Sequence, residues 1–223
     1  MKRSQINTII NDAAKFMKSN GFNLPPYAFW TIDDWRANKE SCKEITSVMM
    51  GWDITDYGLG RFNECGLVLF TLRNGTPTDR TSKPYAEKIM ISRQNQIAPM
   101  HYHNNKIEDI INRSGATLAI ELYNHTPDNE LADTDVTVNS DGCLYNQKAG
   151  YIVKLSPGES ITLPQGQYHK FWGYGGDVLV GEVSTINDDN TDNVFYEKVG
   201  RFPEIEEDEE PQYLLACDYD KFI

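Results

Sequence analysis

The sequence predicts a mainly β fold, a sandwich or jelly roll, with a helical extension at its N-terminus. Three observations carry this. From Leu67 the chain breaks into short apolar runs parted by Gly, Asn, Asp and Pro: LVLFTL, EKIMISR, TLAIELY, VTV, YIVKL, SITL and DVLVGEVS. Between them lies no stretch with the length and period of a helical crossover, which argues against a parallel α/β sheet. The first quarter instead repeats its apolar residues at helical spacing.

Taken in order, SQINTIINDAAKFMKSNGF sets Ile6, Ile9, Ile10, Ala13, Phe16 and Met17 on one helical face, and Asn20-Gly21 supplies a stop. The paired prolines of LPPYAFW forbid continuation. Ile32 to Met50, with Trp35, Ile45, Val48 and Met49, predicts a second helical stretch. Residues 1–60 are therefore expected as a helical segment packed on a β-barrel core of 61–200. A C-terminal segment of 201–223 follows, the whole of 1–223 making a single domain. There EIEEDEE gathers six carboxylates in seven residues and predicts a solvated acidic loop, since adjacent carboxylates repel. The aromatic residues of DYDKFI would return the terminus to the body.

At 223 residues and 39% hydrophobic content the chain can bury one sizeable core. Its 33 acidic against 21 basic residues, net charge −12, oppose binding to nucleic acid or an anionic membrane and leave a small-molecule protein. Met1 to Asn20 lacks the apolar stretch of an export signal, and no apolar run is long enough to span a bilayer. Cys42, Cys65, Cys143 and Cys217 form no CxxC pair and read as thiols in a reducing compartment. A cytoplasmic location without membrane or nucleic-acid partners is expected. Apolar runs such as LVLFTL, read as barrel edges, point to a homodimer.

Chemistry concentrates in two segments. PMHYHNNKIEDIINRSG holds His101 and His103 at i and i+2, which on a strand share one face and can reach one ion. Glu108 follows after the turn-forming Asn104-Asn105 pair and adds an oxygen ligand, a set suited to Mn, Fe, Ni, Co or Zn. Alone, such a pair is equally served by hydrogen-bonded strand histidines. The second segment, PGESITLPQGQYHKFWG, places His169 as the natural fourth ligand. Lys106, between His103 and Glu108, would be repelled by a cation unless carboxylates or substrate oxygens intervene, which marks it as a substrate contact or proton donor.

HYHNNKIE with Gly115, and Gly158 to His169, resemble the first and second motifs of the cupins. That resemblance implies a double-stranded β-helix, or jelly-roll barrel, with the metal inside. Asn95 stands where the first motif usually has Gly, and Gly173 where the second usually has Asn. Asn tolerates positive φ, so the first turn can survive; the second loses a side-chain hydrogen bond. Together with LPPYAFW, MGWDITDYG, FTLRNG, YAEKIM and DVLVGEVSTINDDNTDN, these segments resemble the D-lyxose ketol-isomerase family over most of the chain. The resemblance implies a sugar substrate, reversible aldose–ketose conversion with D-lyxose/D-xylulose first and D-mannose/D-fructose second, and Mn2+ as the ion.

Within that reading Lys106 protonates or stabilises an enediolate oxygen, and Glu108 shuttles protons if it leaves the metal. Glu182, an acidic residue inside LVGEVS, is the candidate carboxylate without metal duties, against the alternative of an outward-facing strand glutamate. Lys88, Asp188, Asp189, Arg201 and Trp172 are candidate sugar contacts, with Arg201 and Trp172 closing the pocket. An iron oxygenase and a sugar-binding protein without turnover stay open beside the isomerase, because such a scaffold hosts many chemistries.

Overall fold

In a computed structural model the protein is described over residues 1–79 and 81–223. Helices α1 (Arg3–Ser19), α2 (Ile32–Asn38) and α3 (Lys43–Ser47) precede the strands β1 (Gly51–Thr55), β2 (Leu67–Arg73), β3 (Tyr85–Ser92), β4 (Ala98–His103) and β5 (Glu108–His125). Then come β6 (Leu131–Ala132), β7 (Val136–Ser140), β8 (Cys143–Gln147), β9 (Tyr151–Leu155), β10 (Ser160–Leu163), β11 (Gln167–Thr185), β12 (Asn193–Phe195) and the short helix α4 (Tyr219–Phe222). The stretch expected as one helix over 32–50 is thus two, broken by a turn at 39–42, and residues 51–55 of the expected helical segment are a strand.

All strand pairs are antiparallel among the described residues, and they fall into two sets that share the long strands β5 and β11. One set runs β1-β2-β3-β11-β5-β10-β7-β8 through the early half of β5 and the late half of β11. The other pairs β12 with β4, β4 with the early half of β11, and the late half of β5 with β9 and β6. Leu69, Met90, Ile110, Ile161 and Val180 of the first set meet Ala98, Leu118, Ile120, Val153 and Phe171 of the second in one core. Glycine permits the passage between sets. Gly115 has φ +99°, and a Cβ there would lie 2.4 Å from the Asp177 carbonyl oxygen across the β5–β11 ladder. No pairing of β1 with β8 closes a barrel among the described residues. LVLFTL, read as an edge, is instead β2 and is paired on both sides; β1 and β8 are the ends of the path.

α1 lays Ile6, Ile10, Ala13 and Met17 on the outward faces of β1, β2 and β3, against Trp52, Ile54, Val68, Phe70, Ile89 and Ile91. It ends where predicted. Gly21 takes φ +78°, and the Phe22 N–H donates to the Met17 carbonyl at 2.9 Å, a left-handed cap. The acidic segment is the expected loop with its carboxylates exposed, and it also clamps the start of α1, whose first turn carries no acidic residue. Asp208 accepts from the Ser4 N–H at 2.9 Å and the Ser4 hydroxyl at 2.7 Å, placing negative charge at the positive end of the helix dipole. Fully buried Arg3 donates two bonds to Glu207 at 2.8 and 2.9 Å and two to Asp218 at 2.8 Å.

The hydrogen bonds from Arg3, and then from Lys221, hold the Glu207 carboxyl at about 2, below its ordinary 4.5. A carboxylate with a depressed folded pKa stabilises the fold above its unfolded value, and that contribution disappears as pH falls from about 4.5 to about 2. Thermal midpoints measured across that window should fall with pH in the wild type and fall less steeply in Glu207→Gln.

Candidate active site

Strand alternation delivers most of the site. On β3, Met90 faces the core and Ile89 and Ile91 face α1, so Lys88 points inward and Glu87 outward, where it pairs with Arg73. On β11, Val178 and Val180 face the core, and Glu182 is next on that face. β4 reaches the interior through a bulge: His101 pairs with His169 but Ala98 with Phe171, so that Pro99 and Met100 lie opposite the single residue Lys170. The bulge turns Ala98, His101 and His103 inward, while Met100 and Tyr102 pack outside against Tyr168. The two departures from the motif face each other: Asn95, at φ +60°, donates its N–H to the Gly173 carbonyl at 2.9 Å. A Cβ at residue 173 would lie 2.7 Å from the Ser92 carbonyl oxygen, so Gly173 admits the opposing turn.

The ligand nitrogens of His101, His103 and His169 lie within 4.8 Å of one another. His101 Nδ1 bonds the Pro99 carbonyl at 2.7 Å and His169 Nδ1 the Gln167 carbonyl at 3.0 Å; as donors there, both rings keep an Nε2 lone pair for the cluster. Burial, and then the neighbouring His169 and His103, hold the His101 pKa well below the ordinary value and so favour the ligating form. His169 Nε2 is buried with no hydrogen-bond partner among the described residues, though Glu108 Oε1 lies 3.1 Å away, and the same oxygen is 3.4 Å from His103 Nε2. Three imidazoles around an unsatisfied nitrogen fit a divalent metal, and these residues could hold one.

Beside the histidines runs a buried ladder of alternating charge. Lys106 Nζ is 2.7 Å from Glu108 Oε2 and 2.8 Å from Glu182 Oε1, and Lys88 Nζ is 3.3 Å from the same Glu182 oxygen. Burial works against the Lys106 charge, but Glu108 and Glu182 outweigh it and hold its pKa above that of an ordinary lysine. Burial likewise opposes the Glu108 charge, and Lys106 and His103 outweigh it, keeping the carboxyl well below its usual range. These groups line a cavity that also receives Asp189 and Arg201. Arg201 reaches Asp189 Oδ1 at 3.1 Å and also pairs with Asp53, while its buried Nη1 has no partner among the described residues.

The structure thus brings His101, His103, Glu108, Lys106, Glu182, Lys88, Asp189 and Arg201 to one cavity, with His169 joining the two histidines beside it. Two candidate sugar contacts lie elsewhere. Asp188 turns back into its own loop, accepting from the Asn190 N–H and the Thr191 hydroxyl, and lies off this cavity. Trp172 follows inward-facing Phe171 on β11 and so points outward, where the Lys170 ammonium sits 5.7 Å over its ring. A Trp172→Phe enzyme should therefore keep kcat/KM within about twofold, roughly 0.4 kcal/mol, in steady-state kinetics.

Three residues of the site were not foreseen. Asn187 gives its amide oxygen to Lys88 at 2.6 Å and Lys106 at 3.4 Å and its amide N–H to Asp189 at 2.9 Å, joining the lysines to the Arg201 end. Asp53 holds Arg201 from β1, and its position inside the apolar GWDIT was a readable signal of the same kind as Glu182. Asp192 wraps the β4–β5 turn, accepting from the backbone of Asn105 at 2.7 Å and of Lys106 at 3.2 Å.

Fold and site together present a buried ladder of lysines and glutamates beside a metal-competent histidine cluster, on an antiparallel β scaffold. The family model described as D-lyxose isomerase matches residues 1–219. The chain is 46% identical to the D-lyxose/D-mannose isomerase of Serratia proteamaculans and 45% identical to that of Escherichia coli O157:H7, each match covering both partners in full. A D-lyxose ketol-isomerase of Cohnella laeviribosi is 30% identical over 70% of this chain and 82% of its own length. The chain belongs to the D-lyxose isomerase family and is an aldose–ketose isomerase. Its fold is shared with the L-ribose isomerase of Acinetobacter sp. DL28, at TM-score 0.63 and 14% identity over 92% of this chain and 98% of the other.

Proposed function

We propose that this protein interconverts D-lyxose with D-xylulose and, as a second pair, D-mannose with D-fructose, by proton transfer through an enediol and with Mn2+ as its ion. The carrying observation is the buried ladder Lys88–Glu182–Lys106–Glu108 beside the three histidines, which sets proton-moving groups against a metal-competent cluster. We read the two strand sets joined by β5 and β11 as a cupin double-stranded β-helix, with His101, His103, Glu108 and His169 as the ligand set. When bound, a divalent ion there would lower the cost of negative charge on the sugar's carbonyl and adjacent hydroxyl oxygens.

The chain's own residues supply the rest. Glu182, which bonds neither histidine ring nor backbone, takes the proton from one sugar carbon and returns it to the next. Lys106, held charged between two carboxylates, gives a proton to the former carbonyl oxygen as negative charge develops there and takes back the one the neighbouring hydroxyl releases. Lys88 and Asn187 keep Glu182 and Lys106 in register, and Arg201 with Asp189 offers a donor and an acceptor to the far hydroxyls. Isomerisation in D2O tests the mechanism. Deuterium at C1 of the ketose is the expected result, because the proton held on Glu182 exchanges with solvent before it is delivered; complete retention of the original hydrogen would contradict an exchanging base at this site.

A further inference from the structure

The cluster treats its three histidines unequally. His101 and His169 each have Nδ1 tied to a backbone carbonyl two residues earlier in the same strand, which fixes ring rotation and places the proton on Nδ1. Among the described residues His103 has no such tether, and its Nδ1 is buried without a hydrogen-bond partner. Its Nε2 edge faces Glu108 at 3.4 Å, so its Nδ1 edge looks away from the cluster, toward Asp192 Oδ2 at 3.5 Å. Asp192 is itself only 4% exposed. It is held firmly: its Oδ1 accepts from the Asn105 N–H at 2.7 Å and the Asn105 amide at 3.1 Å, its Oδ2 from the Lys106 N–H at 3.2 Å, and its carbonyl from the Asn104 N–H at 3.0 Å.

We infer that Asp192 is a positioning residue for the metal site, a carboxylate that accepts the His103 Nδ1 proton and so turns that ring's Nε2 to the ion, while fixing the turn that carries Lys106. The inference rests on the proposed three-histidine metal site. Physically, an ionised acceptor behind a ligating imidazole selects the tautomer and raises the basicity of the opposite nitrogen, and outer carboxylates of this kind change metal affinity by about 10- to 100-fold. One residue then couples two parts of the site: the loop that seats Lys106 and the ring that faces the ion are anchored on the same carboxylate.

The test is calorimetric titration of Mn2+ into the chelator-stripped full chain. Asp192→Asn keeps an oxygen acceptor for the turn but removes the anion, and should bind Mn2+ about 10- to 100-fold more weakly than wild type. Asn105→Ala removes a side chain that the turn ties to Asp192 and leaves the carboxylate facing His103; it should keep wild-type affinity. Wild-type affinity in Asp192→Asn, or equal weakening in Asn105→Ala, would overturn the inference and make Asp192 a turn residue. A wild-type chain that takes up no Mn2+ would overturn the metal-site reading itself, and this inference with it. Should Asp192→Asn not fold, the zinc-loaded wild type decides by NMR: a slowly exchanging downfield His103 Nδ1 proton supports the inference, and its absence overturns it.

Discussion

Glu182→Gln is expected to lower kcat by about 10²- to 10⁴-fold and to leave the metal content at the wild-type level. The substitution is isosteric, and its amide oxygen can still accept from Lys106 at the observed 2.8 Å, so the pocket keeps its shape. What it cannot do is take a proton. Glu182 is 4% exposed and touches two ammonium groups but no histidine, which separates its loss from loss of the ion. Because the proton moves in the chemical step, kcat and kcat/KM fall together and KM barely changes. Steady-state kinetics with metal analysis on the same sample checks this, and a kcat within about threefold of wild type would move the base to another group.

Lys106→Met lowers kcat/KM by about 10²- to 10³-fold, the usual loss when one donor to a developing oxyanion is removed. Methionine matches the length of the lysine stem and lacks the charge. The cost has a second part, since Glu108 and Glu182 lose the ammonium between them. Lys88 stays beside Glu182 at 3.3 Å, but Glu108 keeps only its histidine neighbours. Removing one partner of a buried pair typically costs about 3–5 kcal/mol. A lowered thermal midpoint should therefore accompany the kinetic loss and shrink when Mn2+ is added, because the ion replaces the missing positive charge at Glu108. Unchanged kinetics with a lowered midpoint would reduce Lys106 to a structural cation.

What the sequence made legible follows from strand periodicity. Glu182 in LVGEVS and Lys88 in YAEKIM were readable as inward residues because their neighbours at i±2 are core residues. The same parity, applied from His169 through Phe171, would have put Trp172 outside; its size suggested a sugar face, and size is no guide to direction. The bulge at Pro99–Met100 was carried by a proline inside a strand, which belongs at an edge or bulge. Other contacts were closed to such reasoning because their partners are far apart in the chain. That the exposed acidic segment also clamps α1 was hidden because Arg3, which it holds, stands 204 residues away from Glu207. Asp192 and Asn187 lie in a polar loop with no period to read, and their roles appear once β4, β5 and β11 bring that loop over the site.

The central claim is a manganese-dependent isomerase whose acid–base ladder works beside the three histidines. Its most direct test is ketose formation by metal-stripped protein before and after Mn2+ is restored, with D-lyxose, D-mannose and D-xylose as parallel substrates. The account predicts D-xylulose from D-lyxose, D-fructose at a lower rate from D-mannose, and neither before Mn2+ is added. Absence of ketose from all three sugars with the metal bound, or full turnover without any metal, would contradict it.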